Sequence, residues 1–188
     1  MCHSARADED RLTSSILMHC LAPSRGLGLV HAITGQAVLL TELLTPDQVV
    51  MPVAARDKSG VIAELTRHLT NRWSCDYAEV LGAVHEREAG GSTGIGFGVA
   101  VPHARSAQVP ELSLVCGVSP SPVPFDSIDG EPVRLFFLIV GPESSAGQHV
   151  KLLGRIAKLV RHEDVRERLF GAATPTEFYN VLLESESR

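Results

Sequence analysis

His103 ends the least ordinary stretch of this chain, residues 86–105, which reads Glu-Arg-Glu-Ala-Gly-Gly-Ser-Thr-Gly-Ile-Gly-Phe-Gly-Val-Ala-Val-Pro-His-Ala-Arg. Five of these twenty residues are glycine, and a short apolar run follows them. Glycine lets the backbone take positive φ and approach another group closely, while Pro102 holds its own φ and pushes Val101 toward an extended conformation. The pattern predicts a strand over 99–101 that delivers Pro102 and His103 at its tip. An imidazole with a pKa near ~6.5 is largely neutral at neutral pH and needs little activation to act as a nucleophile. The plainer reading is a histidine that merely ends a strand, and the loop alone supports both. A nucleotide loop does not fit the Gly94-x-Gly96-x-Gly98 spacing, because a dinucleotide fingerprint follows a strand and opens a helix, the reverse of the order here. No Gly-Lys-Ser or Gly-Lys-Thr is present for a P-loop. His68, His85 and His162 have no ligand-like spacing and read as surface or satisfied side chains.

The rest of the chain has to position that loop. Its 188 residues suggest one domain, large enough to bury a core without disulfides or a metal. A composition of 44% hydrophobic, 21% charged and 5% aromatic residues fits a soluble globular chain. The net charge of -5 argues against a nucleic-acid partner, which needs a concentrated basic surface. Cys2, Cys20, Cys75 and Cys116 are widely spaced without a Cys-x-x-Cys pair, so neither a zinc site nor a disulfide framework is expected, and a reducing cytoplasm is the simplest compartment. Residues 1–36 are weakly patterned and are expected to form a poorly structured, dispensable extension. Their weakly polar run, 26–40, is too short to span a membrane and lacks the flanks of a signal peptide, so no membrane insertion is expected.

From residue 37 the pattern tightens. Residues 38–44 form an apolar, helical run stopped by Pro46, and 49–54 read as a first strand. Residues 58–72 place Val61, Ile62, Leu65 and Leu69 on one helical face. Asp76 and Glu79 open a helix carrying Tyr77, Val80, Leu81 and Val84 inward, which ends at Gly90 and Gly91 and so puts Arg87 in its last turn. A strand is expected over 112–118, a proline-rich connection over 119–124, and a turn at Asp129-Gly130 before a second strand, 133–140, buried on both faces. A polar connection over 141–147 leads to a helix over 148–162, apolar at Val150, Leu153, Ile156, Ala157 and Val160, with Lys151, Arg155 and Lys158 on a solvated face. Short helices over 164–170 and from Thr174-Pro175-x-Glu177 to near Glu184 close the chain. The fold class expected is α/β, a three-layer α-β-α sandwich with a mixed central sheet.

The chain resembles the type-2 enzyme IIA domains of the bacterial phosphoenolpyruvate-dependent sugar phosphotransferase system, the fructose, mannitol and nitrogen-related group. That family's signature is an acidic or amide residue, an apolar residue seven positions later, Gly or Ala, two free positions, aliphatic-Ala-aliphatic-Pro-His and a small residue. Glu88, Ile95, Gly96, Val99, Ala100, Val101, Pro102, His103 and Ala104 fit every position. Residues 125–133, the strand after them, and 148–153 look like the corresponding family segments, so the resemblance runs over about 40–184. Phe97 departs from it, since family members often carry a small or polar residue there; the change bears on docking more than on chemistry.

The resemblance implies a phosphohistidine carrier that accepts a phosphoryl group from a histidine phosphocarrier protein and donates it to an enzyme IIB partner. The alternative within the family is a nitrogen-type regulator whose phosphorylation state controls binding to target proteins. It implies that His103 is the phosphorylated nucleophile and that His149 and Arg87 stabilise the phosphate. Ser92 and Thr93 could donate hydroxyl hydrogen bonds to phosphate or merely stabilise the turn. No cofactor and no metal is expected.

Overall fold

The computed structural model describes residues 38–187, so the expected N-terminal extension, 1–36, lies outside the described residues. At the centre is a hairpin of two long antiparallel strands, β5 (Ser113–Val123) and β6 (Val133–Gly141). The short strand β1 (Val49–Val50) pairs parallel with β5 on one side. On the other side β3 (Val99–Ala100) and β4 (His103–Arg105) lie one after the other along β6, both parallel to it, and β2 (Gly94–Gly96) pairs antiparallel with β3 at the edge. The sheet is therefore mixed.

Helices cover both faces, each with its own core. Residues alternate along a strand, so Leu135, Phe137 and Ile139 point one way while Phe136, Leu138 and Val140 point the other. The first set packs beneath α1 (Leu40–Leu43), α4 (Ala146–Leu159), α5 (Glu163–Gly171) and α6 (Pro175–Glu186). The second packs beneath α2 (Lys58–Trp73) and α3 (Tyr77–Ala89). The expected three-layer α-β-α sandwich is what forms. Gly117 on β5 lets α2 sit close, because a Cβ there would lie 2.9 Å from side-chain atoms of Leu65 and Val53. Asp76 caps α3 through the Ala78 and Glu79 amides, and Thr174 caps α6 through the Glu177 amide, as the sequence predicts.

Several boundaries differ from expectation. The strand expected over 49–54 stops at Val50, because Pro52 has no amide hydrogen and the Glu64 carboxylate takes the Ala54 and Ala55 N–H groups instead of a neighbouring strand. Residues 119–123, expected to belong to a connection, extend β5. Pro120 and Pro122 fall where the ladder shifts register, between Val118 and Val123, so their missing donors leave no gap in it. The expected turn is present, with the Gly130 amide bonded to the Ser127 carbonyl, but inside a longer hairpin connection over 124–132.

α4 starts and ends earlier than expected, and its buried positions are His149, Leu152, Ile156 and Leu159. This face is turned from the one suggested by the apolar residues alone, so Val150 is 64% exposed. Arg155 is not simply solvated: it binds Glu186 of α6 at 2.6 Å, and the same carboxylate accepts the Leu40 and Thr41 amides that open α1. Among the described residues no helix is long and apolar enough to cross a membrane.

Candidate active site

The glycine loop is held from within by Glu88. In the last turn of α3 this residue points inward and Arg87 outward; the Glu88 carboxylate accepts the Thr93 amide at 3.0 Å and the Thr93 hydroxyl at 2.5 Å, and pairs with Lys58 of α2 at 2.8 Å. Burial pushes the Glu88 carboxyl up, but the hydrogen bonds from Lys58 and Thr93 outweigh it and hold its pKa below the ordinary value. The Thr93 carbonyl in turn accepts the Val101 amide at 2.9 Å, across the β2–β3 ribbon. Gly94 allows the loop to lie against Ser127, whose Cα would be 2.8 Å from a Cβ placed there.

His103 is fixed at main chain and side chain. The Pro102 carbonyl accepts the Ile139 amide at 3.0 Å, and His103 pairs with Ile139 in register, which makes His103 the first residue of a strand of its own rather than the tip of the one before. Its Nδ1 lies 2.8 Å from the Val101 carbonyl, which only accepts, so Nδ1 carries the hydrogen. Nε2 then holds the free lone pair, and the Arg87 Nε–H donates to it at 3.1 Å. Arg87 is itself held by a hydrogen bond from Nη1 to the Gly91 carbonyl at 3.0 Å.

His149 faces His103 edge to face, with ring centroids 5.5 Å apart. It is 3% exposed, and neither ring nitrogen has a hydrogen-bond partner among the described residues. Burial lowers its pKa to about 4, helped by His103, which would repel a second proton, and by the Arg105 charge. Burial also lowers the His103 pKa, and the Arg87 and Arg105 guanidiniums add to this, while the Val101 carbonyl and Glu88 oppose it. Both imidazoles are therefore neutral at neutral pH. The two rings, Arg87 and Arg105 line one cleft of about 500 Å³, with Val150 and Leu153 on its α4 side.

The structure thus brings His103, His149 and Arg87 together. It does not turn Ser92 and Thr93 to the cleft. The Ser92 hydroxyl donates to the Phe125 carbonyl at 2.8 Å and accepts the Gly94 amide at 3.2 Å, and the Thr93 hydroxyl is buried against Glu88. Both hydroxyls serve the turn. Phe97 lies outside the cleft lining, 55% exposed at the β2–β3 turn with a φ of 58° and the Arg166 guanidinium 4.8 Å from its ring centroid. Two residues escape the sequence reading. Arg105 would have followed from recognising β4, since residues two apart on a strand share a face. Glu88 matched the signature, and its spacing from Val80 and Val84 places it on the buried face of α3, but the partners that make a carboxylate tolerable there lie on other elements.

A model of the family described as "Phosphoenolpyruvate-dependent sugar phosphotransferase system, EIIA 2" matches residues 42–185. A nitrogen regulatory protein of Bradyrhizobium diazoefficiens is 31% identical over 146 residues, 76% of this chain and 94% of that protein. The fructose-specific EIIABC component of Bacillus subtilis is 31% identical over 144 residues, 76% of this chain but 23% of that longer protein. Among solved structures, the nitrogen regulatory protein IIA-Ntr of Neisseria meningitidis superposes with a TM-score of 0.72 at 32% identity, covering 76% of this chain and 97% of its own. Sequence, fold and the agreement with both branches lead to one assignment: the chain belongs to the EIIA type-2 family of the phosphoenolpyruvate-dependent sugar phosphotransferase system.

Proposed function

We propose that this protein is a phosphohistidine carrier, taking a phosphoryl group on His103 from a histidine phosphocarrier protein and passing it to an enzyme IIB partner. The observation that carries this reading is the unprotonated Nε2 of His103, aimed into the cleft beside Arg87 while Nδ1–H is tied to the Val101 carbonyl. Transfer begins with the donor's phosphohistidine protonated on its other ring nitrogen. The Nε2 lone pair attacks phosphorus, a new P–N bond forms, and the donor's P–N bond breaks with its electron pair returning to the donor ring, which leaves neutral. His103 then carries phosphate on Nε2 and keeps the proton on Nδ1, where the Val101 carbonyl supports the cationic ring. No proton is exchanged with solvent, and one imidazole P–N bond is traded for another, so the step is reversible.

The transition state is loose, and positioning with charge stabilisation supplies the catalysis. Arg87 shifts its Nε–H from the nitrogen lone pair to a phosphoryl oxygen, and His149 donates a ring N–H to another. A second reading is a nitrogen-type regulator whose phosphorylation state controls its binding to target proteins. The similarity to a nitrogen regulatory protein along 94% of that relative's length favours it, and the chemistry at His103 is the same.

The test is incubation with phosphoenolpyruvate, enzyme I and the phosphocarrier, followed by intact mass under alkaline conditions. Wild type gains one phosphate that is lost in acid and survives base, as a phosphoramidate does. His103→Ala gains none. A mutant that still takes up phosphate, or a wild type that takes up none from several cognate carriers, refutes the reading. Capture of partners by the two forms then separates the two roles: an enzyme IIB accepting the group supports transport, and a target held by one form alone supports regulation.

A further inference from the structure

We propose that Arg105 is a second phosphate-binding guanidinium, held in reserve by Glu143 while His103 is free and released to the phosphoryl group once His103 carries one. This rests on the phosphohistidine reading above. Residues 103 and 105 stand on the same face of β4, with Ala104 between them turned into the opposite core. Arg105 lines the same cleft as both imidazoles, and its charge lowers the pKa of each. Its only ion-pair partner among the described residues is Glu143, at 3.0 Å.

That ion pair is cheap to exchange. The side chains are 47% and 77% exposed, and an ion pair in such a setting contributes little. Neither side chain holds the backbone around it. β4 ends on the bond from the Ser106 amide to the Gly141 carbonyl, and the turn at Glu143 is closed by the Ser145 amide and hydroxyl, both donating to the Pro142 carbonyl. A phosphoryl group on Nε2 of His103 brings up to two negative charges and three acceptor oxygens into the cleft, against the single charge of Glu143. A guanidinium can meet two of those oxygens with parallel N–H donors. Exchange leaves the Glu143 carboxylate unpaired at the start of the segment leading into α4, the helix that carries His149. The phosphorylated protein thus presents a new negative charge beside the cleft, where a partner that distinguishes the two forms can read it.

The experiment measures the equilibrium of phosphoryl transfer between the phosphorylated carrier and this protein, by intact mass under alkaline conditions. The proteins compared are wild type, Arg105→Ala, Arg105→Lys, Glu143→Gln and the double variant Arg105→Ala/Glu143→Gln. Loss of one charge-assisted contact at an exposed site is expected to lower the transfer constant of Arg105→Ala about three- to tenfold, with Arg105→Lys between it and wild type. Glu143→Gln raises the constant by less than Arg105→Ala lowers it, because the partner that Arg105 no longer has to leave was a weak one. The double variant matches Arg105→Ala alone, since Glu143 acts only through Arg105. A wild type that takes up phosphate with Arg105→Ala unchanged, or with a Glu143 effect surviving in the Arg105→Ala background, overturns this inference and leaves the carrier reading standing. A wild type that takes up none overturns both.

Discussion

A buried histidine whose two ring nitrogens have no partner among the described residues, as in His149, lowers stability by about 1–3 kcal/mol relative to an apolar side chain of similar size. Its ring faces that of His103 and its pKa is held near 4, so it is neutral at neutral pH and, under the proposed function, would meet a phosphoryl group as a neutral N–H donor. Stability conceded at a site poised for charge is what a functional role predicts. Replacing His149 with Leu is therefore expected to leave the unfolding midpoint unchanged or raise it, while slowing phosphoryl transfer at His103 by about ten- to a thousandfold. Denaturation curves and single-turnover transfer rates check the two halves separately. Wild-type rates in both directions would make His149 a packing residue only.

At the scale of elements, the site depends on a chain of contacts from α2 to β4. Lys58 pairs with Glu88 in α3, Glu88 holds the Thr93 amide and hydroxyl, the Thr93 carbonyl holds Val101, and the Val101 carbonyl sets the His103 tautomer. Each link restricts the next, and Glu88 touches the loop but not His103, so under the proposed function it would act as a positioning residue. In Glu88→Gln the amide keeps an acceptor for Thr93 but loses the charge that Lys58 needs. We expect a loss of about 1–3 kcal/mol in stability and a transfer rate about tenfold lower, with the carrier concentration for half-maximal rate little changed. A pH profile is the check that a purely structural role would not move, because a loosened Val101 carbonyl alters the titration of His103. Wild-type rate and profile in a destabilised Glu88→Gln protein would show that the relay ends at Thr93.

For the whole molecule, the two depressed histidines tie stability to pH. Both are neutral in the folded protein where the unfolded chain, with its ordinary value of 6.5, already binds a proton. Their contribution is fully present above about pH 6.5 and is lost as the pH falls toward the folded value of about 4 for His149. The drop from 6.5 to about 4 is worth roughly 3 kcal/mol for His149 at most. Denaturant unfolding across this range should show stability falling on acidification, and the slope should flatten in His149→Leu. A slope unchanged by the substitution would place the acid sensitivity elsewhere. As the pH falls below the ordinary 4.5 Glu88 adds to the loss, since its folded pKa lies beneath that value and protonation gives up its favourable pairing.

What the sequence settles by itself is local or strongly periodic. The helical stripe of Val61, Ile62, Leu65 and Leu69, the caps at Asp76 and Thr174 and the doubly buried run of β6 are all readable, because each depends on neighbours a few residues away. The signature around His103 is readable for the same reason. Tertiary structure decides which side of a helix faces in. On α4 the apolar residues point to a face through Val150 and Leu153, yet packing against β6 buries the face through His149 and Leu152, and only that turn gives His149 its burial and its low pKa. It also decides strands too short to show alternation. β2 and β4 exist because their backbones find partners in β3 and β6, and a pairing across the sheet leaves no local trace in three residues. With β4 comes the shared face of His103 and Arg105, and with the Lys58 and Thr93 groups that meet the Glu88 carboxylate comes the loop that holds them. Periodicity records how a segment meets water, whereas the site depends on which distant backbone and carboxylate each segment meets instead.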